Sequence, residues 1–109
     1  MERKPRKIAV DFDGTLVKRK GIPTNGALND CEPTEDAVEA ISFFIEKGLD
    51  VYILTSRNPE EWDSVRKWLK DNNFPEIRVG NIKEKDTQVI IDDRAIRFTN
   101  WQDIRKYFF

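Results

Sequence analysis

The chain contains no histidine, a single cysteine and no long apolar run, and its formal net charge is only −1. Without histidine, any acid–base chemistry falls to carboxylates, lysines or tyrosines. The lone Cys31 excludes an internal disulfide and reads as an ordinary loop or packing residue. No stretch has the length and apolarity of a membrane span or the form of a secretory leader. A soluble cytoplasmic protein with no membrane partner is the default expectation. A net charge this small provides no overall field to attract nucleic acid or lipid.

What the chain does have is clustered. It is 109 residues long, 39% hydrophobic and 36% charged, against a charged share of about 25% in ordinary domains. The length predicts one domain over 1–109. Residues 1–7 form a basic lead-in, expected as a solvated arm. Ile8-Ala9-Val10 reads as a strand buried on both faces, as in a parallel sheet. Further strands are predicted at 51–54, 77–79 and 89–91. Helices are predicted over 33–47, with Val38, Ile41, Phe44 and Ile45 on one face, and after Asn58-Pro59-Glu60-Glu61. There Asn58 can cap, Pro59 suits the first turn and Glu61 can reach back to the cap. Trp62, Val65, Trp68 and Leu69 make that helix's core stripe. Gly48 sits where a left-handed helix stop belongs. A closing helix is expected over 101–109, burying Trp101, Ile104 and Phe108.

This alternation predicts an α/β fold, a Rossmann-like three-layer sandwich with a mostly parallel central sheet. Ligands in such sheets bind beyond the carboxyl ends of the strands. Three polar groups lie there: Asp11-Phe12-Asp13-Gly14-Thr15, Thr55-Ser56, and Asp92-Asp93. Gly14 lets the backbone turn sharply beside a ligand. Packed carboxylates repel, and a hard divalent cation with oxygen ligands offsets that charge. Mg2+ with Asp11 and Asp92 as ligands suits a phosphate substrate. Asp11 can attack phosphorus as a carboxylate. Asp13 can protonate the leaving oxygen, a role that calls for surroundings favouring its neutral form. Thr55 can hold phosphate oxygens, and Lys83 or Lys85 can neutralise the remaining charge.

The motifs resemble those of the haloacid dehalogenase superfamily of phosphatases. Asp11-Phe12-Asp13-Gly14-Thr15-Leu16 matches its D-x-D-G-T-L motif residue for residue, Leu54-Thr55 resembles its second motif, and Ile91-Asp92-Asp93 its fourth. Lys83 is favoured over Lys85 for the third. The resemblance implies Asp11 as nucleophile, Asp13 as acid/base, and Mg2+ held by Asp11, the Asp13 carbonyl and Asp92. It implies Thr55, Ser56, Lys83 and Gly14 around the phosphate, Asp93 as an outer metal partner, and Arg94 bracing the acidic pair. It also implies a small capless member, since residues 17–32 leave room only for a flap. An open site suits a bulky phosphorylated substrate such as a nucleic-acid end, or a lid from a partner subunit. Lys18, Arg19 and Lys20 in the flap can attract an anion. Two other readings compete. A phospho-receiver domain has similar parts, but its acceptor aspartate follows a middle strand, where this chain has Thr55. A catalytically inactive binding module keeps the fold and loses turnover.

Overall fold

Four apolar stretches become four parallel strands because each is short, β-branched and bounded by polar residues. They are β1 (Lys7–Val10), β2 (Asp50–Leu54), β3 (Val79–Gly80) and β4 (Val89–Ile91). The computed structural model describes residues 6–18, 27–28 and 30–109. The first five residues of the lead-in, and flap residues 19–26 with Arg19 and Lys20, lie outside it. The sheet order is β3-β2-β1-β4, and every pairing is parallel. Val10 stands beside Ile53 on one side and Ile91 on the other. This register brings the ends of the three strands to one edge.

Side chains alternate across the sheet. Ile8, Val10, Val51 and Ile53 project into one core with Ala37, Ile41, Val65, Trp68 and Leu69. Those last five belong to α1 (Ala37–Glu46) and α2 (Trp62–Asp71), so both long helices cover the same face. Val38, Phe44 and Ile45 pack against that core at the margins, as the helical spacing requires. Helix α1 starts four residues later than predicted, because Asp36 adopts a left-handed turn. Gly48 ends the segment at φ +88°.

Helix α2 also starts differently. Pro59–Glu61 forms a 3-10 turn, and Asn58 makes no side-chain cap. Glu61 turns to Arg57 instead, accepting from Nη1 at 3.4 Å. The third strand is shorter than expected and shifted, pairing only through Val79 and Gly80.

The far face carries Ala9, Tyr52 and Ile90. Residues 81–88 fold over Tyr52, whose hydroxyl accepts from the Glu84 N–H at 2.9 Å and meets the Thr87 hydroxyl at 2.7 Å. The predicted closing helix does not cover this face. Helix α3 (Trp101–Arg105) is a short turn and a half, Trp101 is 70% exposed and Phe108 67%. Ile104 is only half-buried. No helix among the described residues is long and apolar enough to cross a membrane.

Candidate active site

The spacing of Asp11, Phe12 and Asp13 has a mechanical reason. Phe12 is fully buried and meets Trp68 edge to face at 5.4 Å. Its two neighbours are therefore turned out of the core at the strand end. The chain then reverses tightly. The Phe12 carbonyl accepts from the N–H groups of Thr15, Leu16 and Val17, and Gly14 donates to Val17 at 2.8 Å. Gly14 adopts φ +87°, a conformation that side chains disfavour. The base of the flap is pinned where Val17 pairs with Pro33 and Lys18 N–H donates to the Glu32 carbonyl. Lys18 spends its charge on Glu32 at 2.9 Å.

The Asp11 N–H donates to the Ile91 carbonyl at 2.9 Å, so β1 continues against β4 for one more step. Asp11 and Asp92 thus leave adjacent strands side by side. One carboxylate oxygen from each of Asp11, Asp92 and Asp93 lies within 4.8 Å of the others. Burial pushes the Asp11 carboxyl up to about 6, and the nearby charges of Asp92, Asp93 and Asp13 add to the rise. A hydrogen bond from the Phe12 N–H to Oδ1 opposes it.

Thr55 is 3% exposed, held by its N–H on the Gly80 carbonyl at 2.8 Å. Its hydroxyl accepts from the Arg57 N–H at 3.1 Å. Asp11, Thr55, Ser56, Lys83 and Asp92 line one open pocket of about 350 Å3, together with Arg94. Lys85 is elsewhere: its carbonyl accepts from Lys7 Nζ at 3.0 Å. Asp93 stands in the same carboxylate cluster as Asp11 and Asp92. The Arg94 main chain shapes the acidic pair, its N–H donating to Asp92 Oδ1 at 2.6 Å. The Asp13 carboxylate pairs with a cation.

That cation is Arg57. It donates to both Asp13 oxygens and also reaches Glu61. The signal for it was its place in Thr55-Ser56-Arg57, three polar residues leaving β2 at the functional edge. Cys31 behaves as a packing residue. Its thiol faces the Ala27 carbonyl at 3.6 Å, and its own carbonyl accepts from Trp68 Nε1.

The sequence profile of the haloacid dehalogenase-like hydrolases matches residues 8–109. The chain belongs to that family. The match runs from β1 through α3 and takes in every residue of the rim. No curated protein and no solved structure matches the chain. Membership in this hydrolase family sets the phospho-receiver reading aside. The α/β class with an all-parallel sheet is the one the alternation of elements predicted.

Proposed function

We propose that this haloacid dehalogenase-like hydrolase cleaves phosphate monoesters, with Asp11 as nucleophile. The carrying observation is the shared pocket. A half-buried carboxylate lies beside two further acids, a buried threonine and a lysine on one rim. The Asp11 oxygen attacks phosphorus in line and forms an aspartyl phosphate as the ester oxygen departs. Asp13 donates a proton to that oxygen and later takes one from the attacking water. The Thr55 hydroxyl, which accepts from Arg57 N–H, can donate its own hydrogen to a phosphate oxygen. Lys83 offsets the remaining charge, and Ser56 and Gly14 border the phosphate.

Three carboxylates this close, one of them shifted chiefly by burial and further by its neighbours' charge, suit a hard oxygen-seeking cation. Asp11, Asp92 and Asp93 would hold Mg2+, with the Asp13 carbonyl as the family resemblance implies. The ion would supply positive charge to polarise the phosphoryl oxygens. The open pocket suits a bulky phosphorylated substrate, with nucleic-acid ends among the candidates.

The test is a phosphoester panel with and without Mg2+: p-nitrophenyl phosphate, nucleotides, sugar phosphates and 3′- or 5′-phosphorylated oligonucleotides. Turnover is expected for wild type and lost in Asp11→Asn. Mg2+ should raise the melting temperature of wild type and leave Asp92→Asn unmoved. A chain that folds and binds Mg2+ but turns over no phosphoester would be the inactive binding module instead.

A further inference from the structure

The charges of this chain are unevenly placed. Residues 94–109 carry four cations, Arg94, Arg97, Arg105 and Lys106, against the single carboxylate of Asp103. Residues 1–93 carry fifteen cations and nineteen carboxylates, so a basic segment ends an otherwise acidic body. Lys106 reaches Asp103 at 3.6 Å, and the three arginine side chains make no ion pair among the described residues. The same segment carries bare rings. Phe98, Trp101, Tyr107, Phe108 and Phe109 are between 59% and 103% exposed. Their backbone is not loose. Asn100 caps α3 by accepting from the Asp103 N–H at 2.9 Å, and the Thr99 hydroxyl and Asn100 amide both donate to the Asp103 carboxylate. Phe98 meets Trp101 edge to face at 5.3 Å.

Rings and cations mix in space as well as in sequence. Arg97, Lys106 and Tyr107 line one hollow, and Arg105, Lys106 and Phe109 line another. This arrangement fits a partner that offers flat π faces and negative charge together. Single-stranded nucleic acid does so: its bases stack on aromatic side chains while the phosphates between them meet Arg and Lys. An anionic lipid surface wants the opposite pattern, with apolar side chains along one face and cations along the other. The segment also begins at the reaction pocket. Arg94 lines that pocket with Asp11, Thr55, Lys83 and Asp92, and its N–H holds Asp92. Phe98 lies four residues further on, no more than about 14 Å along even a fully extended chain.

We propose that residues 94–109 bind single-stranded nucleic acid and lead its phosphorylated end into the pocket of Asp11. The acidic body repels a polyanion elsewhere, which confines the strand to the basic segment. Stacking and charge carry little sequence information, so DNA and RNA strands bind alike and base preference is weak. Delivery to the pocket rests on the phosphatase reading; the binding does not.

Fluorescence anisotropy with labelled, terminally phosphorylated oligothymidylate and oligouridylate tests the binding, using the full chain with Asp11→Asn so that the phosphate stays in place. Affinity should fall about 20- to 50-fold between 50 and 200 mM salt, as three or four neutralised phosphates on a single strand require. A paired duplex, whose bases are not free to stack on the rings, should bind more weakly. Trp101→Ala with Phe108→Ala, and separately Arg97→Gln with Arg105→Gln, should each weaken strand binding at least about tenfold. Placed in the chain with Asp11 intact, these pairs of changes should leave turnover of p-nitrophenyl phosphate unaltered and raise KM for the phosphorylated oligonucleotide. Strands that do not bind, or that bind the variants as tightly as the parent, overturn the proposal even where p-nitrophenyl phosphate is hydrolysed. Segment-dependent binding to phosphatidylserine vesicles without binding to strands overturns it in favour of a membrane surface. Segment-dependent strand binding with no turnover of any phosphoester upholds the binding surface and overturns the phosphatase reading.

Discussion

Arg57 grips Asp13 with a two-pronged ion pair, Nε to Oδ2 and Nη2 to Oδ1, each 2.8 Å long. The two residues are 44 positions apart and lie on the ends of neighbouring strands. The arginine side chain is 8% exposed and Asp13 26%. The hydrogen bond to Asp13 is the main reason the Arg57 guanidinium is held more firmly protonated than usual. One hydrogen bond to each oxygen fixes the orientation of the Asp13 carboxylate and leaves a lone pair on each oxygen for a further partner. Arg57 also lies over the Phe12 ring at 5.6 Å, which fixes the guanidinium above the motif's buried aromatic.

Arg57→Ala should therefore lower both stability and turnover. Removing one partner of a charged, largely desolvated hydrogen-bonded pair costs about 1–3 kcal/mol. Misplacing Asp13 should slow turnover by roughly 10- to 100-fold. Arg57→Lys keeps the charge but not the fork and should recover only part of the loss. Denaturant unfolding and steady-state kinetics read these effects. Wild-type turnover in the alanine variant would exclude a positioning role for Arg57.

Asp11 carries a stability cost that depends on pH. Its carboxyl titrates near 6 in the fold, raised chiefly by burial, against an ordinary value of 3.8. The folded chain then binds that proton more tightly than the unfolded chain does. Stability falls as pH rises from about 4 to 6, and the whole cost is present above 6. Asp11→Asn should stabilise the metal-free protein at pH 7 by on the order of 1–3 kcal/mol. The gain should shrink toward pH 4, while turnover disappears. Thermal melts of both proteins across pH 4–8 without metal check the sign; an asparagine variant less stable at pH 7 contradicts it.

The loop carrying Lys83 is moored by a second network. Arg78 donates to both oxygens of Glu84 and to Asp50, and its guanidinium lies over the Tyr52 ring at 5.1 Å. Tyr52→Phe leaves the Glu84 N–H without its acceptor and should cost about 1–2 kcal/mol. Loosening Lys83 should raise KM more than it lowers kcat. The Arg78 hydrogen bonds hold the Glu84 carboxyl below the ordinary carboxylate range. This stabilisation is present above that range and is lost as pH falls through the depressed value. Acid unfolding of Glu84→Gln should lack that limb.

The strands were legible because period-two and all-apolar runs are local signals, and β1, β2 and β4 appear within a residue of their predicted bounds. The third strand was less so. Only Val79 and Gly80 reach the β2 edge, and that depends on pairing, not on apolarity. The cap at Asn58 failed for a related reason. Glu61 had a stronger partner in Arg57 than in a backbone N–H, and no spacing rule weighs partners from different elements.

By itself the sequence singled out the residues proposed to carry chemistry: the two acids around Phe12, Thr55, the lysines and Asp92-Asp93. It also determined that the strands form a parallel sheet, with β1 and β2 buried at its centre. Tertiary structure alone decided that Asp93 joins Asp11 and Asp92, that Arg57 claims Asp13, and that Trp101 and Phe108 face solvent. Periodicity reports how each stretch divides between apolar and wet surroundings. Which groups then meet depends on strand register and on competition among distant charges, and neither is written in any local window of the chain.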